Sequence, residues 1–142
     1  MATTARASFR IAGAVHRTLY RLGLGRKMFG VPVLILETRG RKSRREIRTP
    51  LTYFKDDAGI FVVASKGGAP TDPGWYHNLV AEPNVTARIG SVEQRFRAEV
   101  VRDRAERDRL YAIAVSAMSG YAGYEKKTDR MIPVVRLHGV AG

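Results

Sequence analysis

Lys66 sits in the run Ser65-Lys66-Gly67-Gly68, directly after an apolar, strand-like stretch and shortly before the chain's single tryptophan, Trp75. Backbone N–H groups that follow a strand can turn toward an anion where glycines permit positive φ and close approach. The Lys66 ammonium would add a full charge beside them. Asp72-Pro73-Gly74 can then open a short helix whose N-terminus is a further weak anion site. Trp75 and Tyr76 offer flat apolar faces for a planar ring. A second group, Gly40-Arg41-Lys42-Ser43-Arg44-Arg45 with Arg48, gathers five cations at one hairpin end. That is enough to hold several anionic groups together, although a solvated basic turn has the same appearance. A third group is Tyr121 and Tyr124 with Thr128-Asp129-Arg130; tyrosines three apart share a helix face. Either they line a pocket and donate hydrogen bonds, or they pack half-buried with their hydroxyls in water.

The totals narrow the chemistry. A chain of 142 residues fits one domain with a self-sufficient core. The absence of cysteine removes disulfides, thiolate metal sites and a cysteine nucleophile together. His16, His77 and His138 show no metal-ligand spacing, so no metal centre is expected. Ser65 lacks a nucleophile-elbow setting and the carboxylates show no paired arrangement. Hard chemistry would therefore belong to a cofactor, and a basic groove with an aromatic wall suits a phosphorylated, planar, redox-active ring. The formal charge of +12 favours an anionic partner, although an arginine-rich composition alone would also produce it. Sequence-specific nucleic-acid binding is not expected, because the aromatics do not interleave with the basic run. With no secretory signal and no apolar run of spanning length, a cytoplasmic protein is expected, peripheral to the membrane at most.

The elements that must position these residues follow from periodicity. Over Ala5 to Leu24, Ile11, Val15, Leu19 and Leu22 share one helical face and Arg6, Arg10, Arg17 and Arg21 the opposite one. Such a helix either docks on the domain by its apolar stripe or lies in an anionic membrane surface. Residues 1–27 are assigned to this helix and 28–142 to the domain proper. Strands are expected over Val31–Thr38, Ile47–Lys55 and Ile60–Ser65, with Pro50 marking an edge, a bulge or a close approach. A short helix capped by Asp72, with Pro73 at its first position, runs to about Ala81. Val85–Ile89 and Gln94–Arg102 form a strand pair, Asp103 or a neighbour opens a helix through Met118, and Ile132–Leu137 is the last strand. The expected class is mainly β within α+β: about six mostly antiparallel strands curled into a small barrel with flanking helices.

The blocks LETRGRKSRREIRTPLTYF, VVASKGGAPTDPGWYHNLVAEPNV and YEKKTDRMIPVVRL, in that order, resemble the deazaflavin-dependent nitroreductase family. The likeness spans almost all of the chain after Val31 and does not extend to the N-terminal helix. It implies a split β-barrel akin to flavin-mononucleotide-binding oxidases. It also implies coenzyme F-420, an 8-hydroxy-5-deazaflavin with a phosphodiester and a polyglutamate tail, as hydride donor to quinones, nitroaromatics or similar acceptors. Carried over by position, Lys42 contacts the anionic tail, with Arg48 or Arg45 substituting for a family arginine at Ile47. Ser65, Lys66, Gly67 and Gly68 hold the phosphate and ring edge, and Pro50, Trp75 and Asn78 are further pocket positions. Gly74 stands where some members carry a larger side chain. Tyr121 and Tyr124, with Ser65, flank the acceptor and supply its hydrogen bond or proton, Tyr121 foremost. Met118 replaces a third tyrosine found in members that activate nitro-prodrugs. Two readings on the same barrel remain beside this one: a flavin-mononucleotide enzyme, and a coenzyme or lipid carrier without turnover. A homodimer is compatible with each.

Overall fold

The computed structural model describes residues 27–28 and 31–140. The amphipathic helix expected over Ala5 to Leu24 lies outside them. Lys27–Met28 form a short strand, β1, ahead of the first expected one. The other strands are β2 (Val31–Arg39), β3 (Glu46–Thr52), β4 (Phe54–Asp56), β5 (Gly59–Val63), β6 (Asn84–Ile89), β7 (Val92–Val100) and β8 (Val134–Gly139). Among the described residues three α-helices accompany them: α1 (Gly74–Ala81), α2 (Arg104–Ala117) and α3 (Gly120–Lys126). The sheet runs β1-β2-β6-β7-β8-β5-β4, with β3 on the free side of β2, and every pairing is antiparallel.

The expected class stands, and the strand count rises for physical reasons. The stretch expected as one strand from Ile47 to Lys55 is broken at Tyr53, whose N–H donates to the Pro32 carbonyl at 3.1 Å. Beyond that break the chain leaves β2 and pairs with β5 instead. Among the described residues β3 pairs with β2 alone, so Pro50 occupies an edge strand, where its missing N–H is tolerated.

Strand parity then creates two cores. Leu34, Leu36, Val62, Ala64, Val85, Ala87, Phe96, Ala98, Val135 and Leu137 fill the barrel, and Trp75 and Leu79 of α1 complete that cluster. On the opposite face of β5 and β8, Phe61, Val63 and Val134 pack with Phe54, Leu110, Tyr111, Ala114, Tyr121 and Ile132. β5 and β8 are thus covered on both sides, which explains their continuous apolar runs. Asp103 caps α2 as expected, its carboxylate accepting from the Glu106 N–H at 2.9 Å. Asp72 caps nothing: Pro73 is the N-cap of α1 and makes no side-chain cap bond.

Asp56 closes the β4–β5 hairpin and receives Arg136 at 2.8 Å and Arg109 at 2.7 Å. These bonds hold its carboxyl far below the ordinary carboxylate range. A depressed carboxylate contributes stability that is complete above the unfolded value, near ~4, and is lost as pH falls below it. Asp56→Asn should therefore cost about 3 kcal/mol at pH 7, since Arg136 is left buried beside a neutral partner. Thermal melts between pH 7 and 3 check this: the variant should show a shallower acid decline than the parent. Identical declines would remove Asp56 as the cause.

Candidate active site

A groove of about 440 Å3 opens between the β2–β3 turn, the Lys66 turn and the start of α1. Its walls include Arg41, Lys42, Ser43, Ile47, Thr49, Lys66, Pro73, Gly74, Trp75 and Asn78. The β2–β3 turn is held by its own backbone: the Gly40 N–H donates to the Arg45 carbonyl at 2.7 Å and the Arg44 N–H to the Gly40 carbonyl at 2.9 Å. A Cβ on Gly40 would lie 2.5 Å from the Ser43 hydroxyl, which would have to rotate aside. Arg41, Lys42, Ser43, Arg44 and Arg45 are exposed on it. Asn78 fastens this turn to α1. Its side-chain oxygen accepts from the Arg41 N–H at 3.1 Å and from the Arg41 guanidinium at 3.3 Å, and its amide nitrogen donates to Thr38 at 3.3 Å.

Across the groove, three consecutive residues adopt left-handed backbone: Lys66 (φ 47°), Gly67 (φ 64°) and Gly68 (φ 85°). Positive φ at a lysine is uncommon and marks a conformation that its surroundings must enforce. The Lys66 ammonium donates to the Thr71 hydroxyl at 3.2 Å and stands on the groove wall. The two glycines differ. A Cβ at Gly67 would meet nothing, whereas one at Gly68 would lie 2.9 Å from the Tyr124 carbonyl oxygen and 3.0 Å from the Lys127 Cβ. Gly68 is therefore where the turn presses against the end of α3.

Behind that contact stand the tyrosines. Tyr121 is 8 % exposed and packs edge-on against Phe54 and Tyr124, with ring centroids 5.4 and 5.0 Å away. The Tyr111 hydroxyl donates to the Tyr121 carbonyl at 2.6 Å and fixes the start of α3. Burial, reinforced by Tyr124, pushes the Tyr121 hydroxyl up to about 12, against a side-chain hydrogen bond with Ser65. It remains a proton-bearing donor throughout the neutral range. Ser65 is itself buried, Tyr124 half-buried. Met118 is half-buried against the same core.

The structure thus brings Lys42, Lys66, Trp75 and Asn78 to one groove. Ser65, Gly68, Tyr121 and Tyr124 gather just behind it, and Gly67 is exposed beside Lys66. Arg48 and Pro50 do not line this groove. In β3 the groove takes Ile47 and Thr49, so the alternating pleat directs Arg48 and Pro50 to the other face. There Arg48, its side chain 3 % exposed, meets Glu37 at 3.2 Å. Burial and the neighbouring Glu46 raise the Glu37 carboxyl even though Arg48 opposes them. Arg45 is exposed on the turn and is not on the groove wall either. Arg41, one of the five cations of the basic hairpin, is on the wall; Thr49 was missed, and counting in twos from Ile47 along β3 would have found it. Trp75 belongs to the barrel core and the groove wall at once, and Gly74, where a Cβ would meet open space, widens the mouth.

Comparison with known proteins bears on this site. Residues 8–138 match the family model described as F-420H(2)-dependent quinone reductase. The chain is 38 % identical over 129 residues, 87 % of each protein, to an F-420H(2)-dependent quinone reductase of Mycobacterium tuberculosis. A solved structure of an F-420-H2-dependent reductase matches at 35 % identity and a TM-score of 0.68, covering 75 % of this chain and 94 % of that one. Another, described as a domain-swapped dimer, matches at 32 % identity and a TM-score of 0.69 over 86 % and 92 %. A pyridoxamine 5'-phosphate oxidase-type structure from Listeria innocua, at 11 % identity and a TM-score of 0.55 over 77 % and 84 %, shares the split-barrel fold alone.

Proposed function

Because the chain belongs to the F-420H(2)-dependent quinone reductase family, an oxidoreductase family, we propose that its groove holds the coenzyme and that quinone enters against Tyr124 and Tyr121. The observation that carries this reading is the meeting of Lys42 and Lys66, from distant parts of the chain, on a groove walled by Trp75. The groove fits an anionic, ring-bearing group. Arg41, Lys42 and Lys66 supply positive charge, and Ile47, Pro73 and Trp75 supply apolar wall within a volume ordinary for ligand sites. When bound, the reduced coenzyme supplies a hydride from its C5 carbon.

The chain's own residues then have distinct tasks. Lys42 and Arg41, at the exposed turn, suit the anionic tail; Lys66 and its left-handed turn suit the phosphate side. Trp75 orients the ring through its face. Reduction of a quinone by a hydride leaves negative charge on an oxygen, which needs a hydrogen bond and finally a proton. Tyr124 is the more accessible phenol and can meet the acceptor first. Tyr121, buried behind it and protonated at neutral pH, is placed to donate through Ser65 or Tyr124. The two cores exclude water on the side away from the groove.

Titration of oxidised coenzyme F-420 should quench its fluorescence with a dissociation constant in the micromolar range or tighter. The reduced coenzyme should then be oxidised in the presence of a soluble quinone such as menadione. Absence of quenching would defeat the groove assignment; quenching without quinone-dependent oxidation would leave only a carrier. The electrostatic part of the reading adds that affinity falls as salt rises, because the cations at the mouth are exposed and screened. Two partners stay outside what the groove decides: an anionic membrane surface for the N-terminal segment, and a second copy of the chain. No helix among the described residues is long and apolar enough to cross a membrane.

A further inference from the structure

Arg130 lies between α3 and β8, away from the groove wall, and directs its whole guanidinium to one stretch of chain. Its Nε donates to the Ala69 carbonyl at 2.9 Å and one terminal nitrogen to the Ser65 carbonyl at 2.8 Å. The other terminal nitrogen donates to the Ala64 carbonyl at 3.3 Å and to the Asp72 carboxylate at 2.5 Å. These acceptors bracket Lys66, Gly67 and Gly68, the three residues with left-handed backbone. The bridging side chains are mostly buried, 14 % and 24 % exposed, so solvent competes little for them. A planar fork can meet acceptors at both ends of a turn; an ammonium cannot. Strained backbone persists only where its surroundings over-determine it, and Arg130 supplies that constraint from outside the turn.

We propose that Arg130 is a positioning residue for the coenzyme, fixing the Ser65–Asp72 turn so that Lys66 faces the groove. The inference rests on the reading of the groove as the coenzyme site. It also gives Asp72 a role: the residue expected to cap α1 is the anionic anchor of this clamp.

The test compares the parent with Arg130→Lys, Asp72→Asn and Lys66→Asn by coenzyme fluorescence titration, steady-state kinetics and amide hydrogen exchange. Arg130→Lys should weaken coenzyme affinity about tenfold, the loss expected when charged hydrogen bonds go. It should leave kcat at saturating coenzyme within about twofold, since no reacting group is touched. Exchange at amides 66–71 should quicken while the β2–β3 amides keep their protection. Asp72→Asn should change the same readouts in the same direction by less, and it decides the matter if the lysine variant does not fold. Parent-like affinity in a folded Arg130→Lys, or in Asp72→Asn where that variant decides, overturns the inference if Lys66→Asn loses affinity. So does lost affinity with unchanged exchange at 66–71. If Lys66→Asn and Arg130→Lys both bind like the parent, the assignment of the phosphate to the Lys66 side of the groove fails, and the inference with it.

Discussion

Gly68→Ala should destabilise the protein by about 3 kcal/mol and raise the KM for the coenzyme, while Gly67→Ala, one residue away, should cost about 1 kcal/mol and leave turnover close to the parent's. The two positions share left-handed backbone and differ in what surrounds them. At Gly68 a new Cβ lies 2.9 Å from a backbone oxygen of Tyr124 and close to Lys127, and a carbonyl cannot rotate away as a flexible side chain would. The turn or the end of α3 must shift. Either movement separates Lys66 from the tyrosines, so binding and turnover suffer together. At Gly67 the space is open, and only the backbone conformation resists alanine. Thermal melts and steady-state kinetics on the pair check this, with the melting temperature of Gly68→Ala expected roughly 10 °C lower. Equal stability and activity in the two variants would mean that the turn does not bear on α3.

Lys66→Asn should separate stability from binding. Asparagine accepts positive φ more readily than lysine, so the variant should be as stable as the parent or slightly more so. It lacks the ammonium, so coenzyme affinity should fall about ten- to a hundredfold, and the remaining binding should depend less on salt. A stable variant that binds poorly is the signature of a residue retained for its ligand despite backbone strain. Parent-like affinity in Lys66→Asn would place the phosphate elsewhere, with Lys42 and Arg41 the remaining cations on the groove wall.

Much of the fold was legible because it is written in short-range pattern. The Asp103 cap, the end of α1 at Ala81 and the hairpins around Asp56-Asp57-Ala58-Gly59 and Gly90-Ser91 depend on neighbours in sequence. Lys42, Lys66 and Trp75, singled out by residue type, do line one groove. In β3 the expected residues and the groove wall part for a reason of parity. Arg48 and Pro50 were chosen by chemistry and by likeness to relatives, yet a strand shows alternate residues to alternate faces. Ile47 had already taken the groove side. Asn78 illustrates a different limit: its side-chain oxygen serves Arg41, some forty positions earlier, and no local pattern announces such a bond. The Arg130 clamp spans still more of the chain, 58 to 66 positions, and only the folded chain reveals it.

β8 lies between β7 and β5, and β5 precedes it by half the chain. During synthesis, therefore, a nascent chain that has not yet reached Val134 carries two open strand edges, on β5 and on β7. Unpaired edges are templates for pairing with other chains. The pairing that removes them joins segments distant in sequence, which is the slow kind of contact to form. Arg130 immediately precedes β8 in the chain, so the bonds that brace the Ser65–Asp72 turn and the pairing that closes the sheet depend on the same late-made segment.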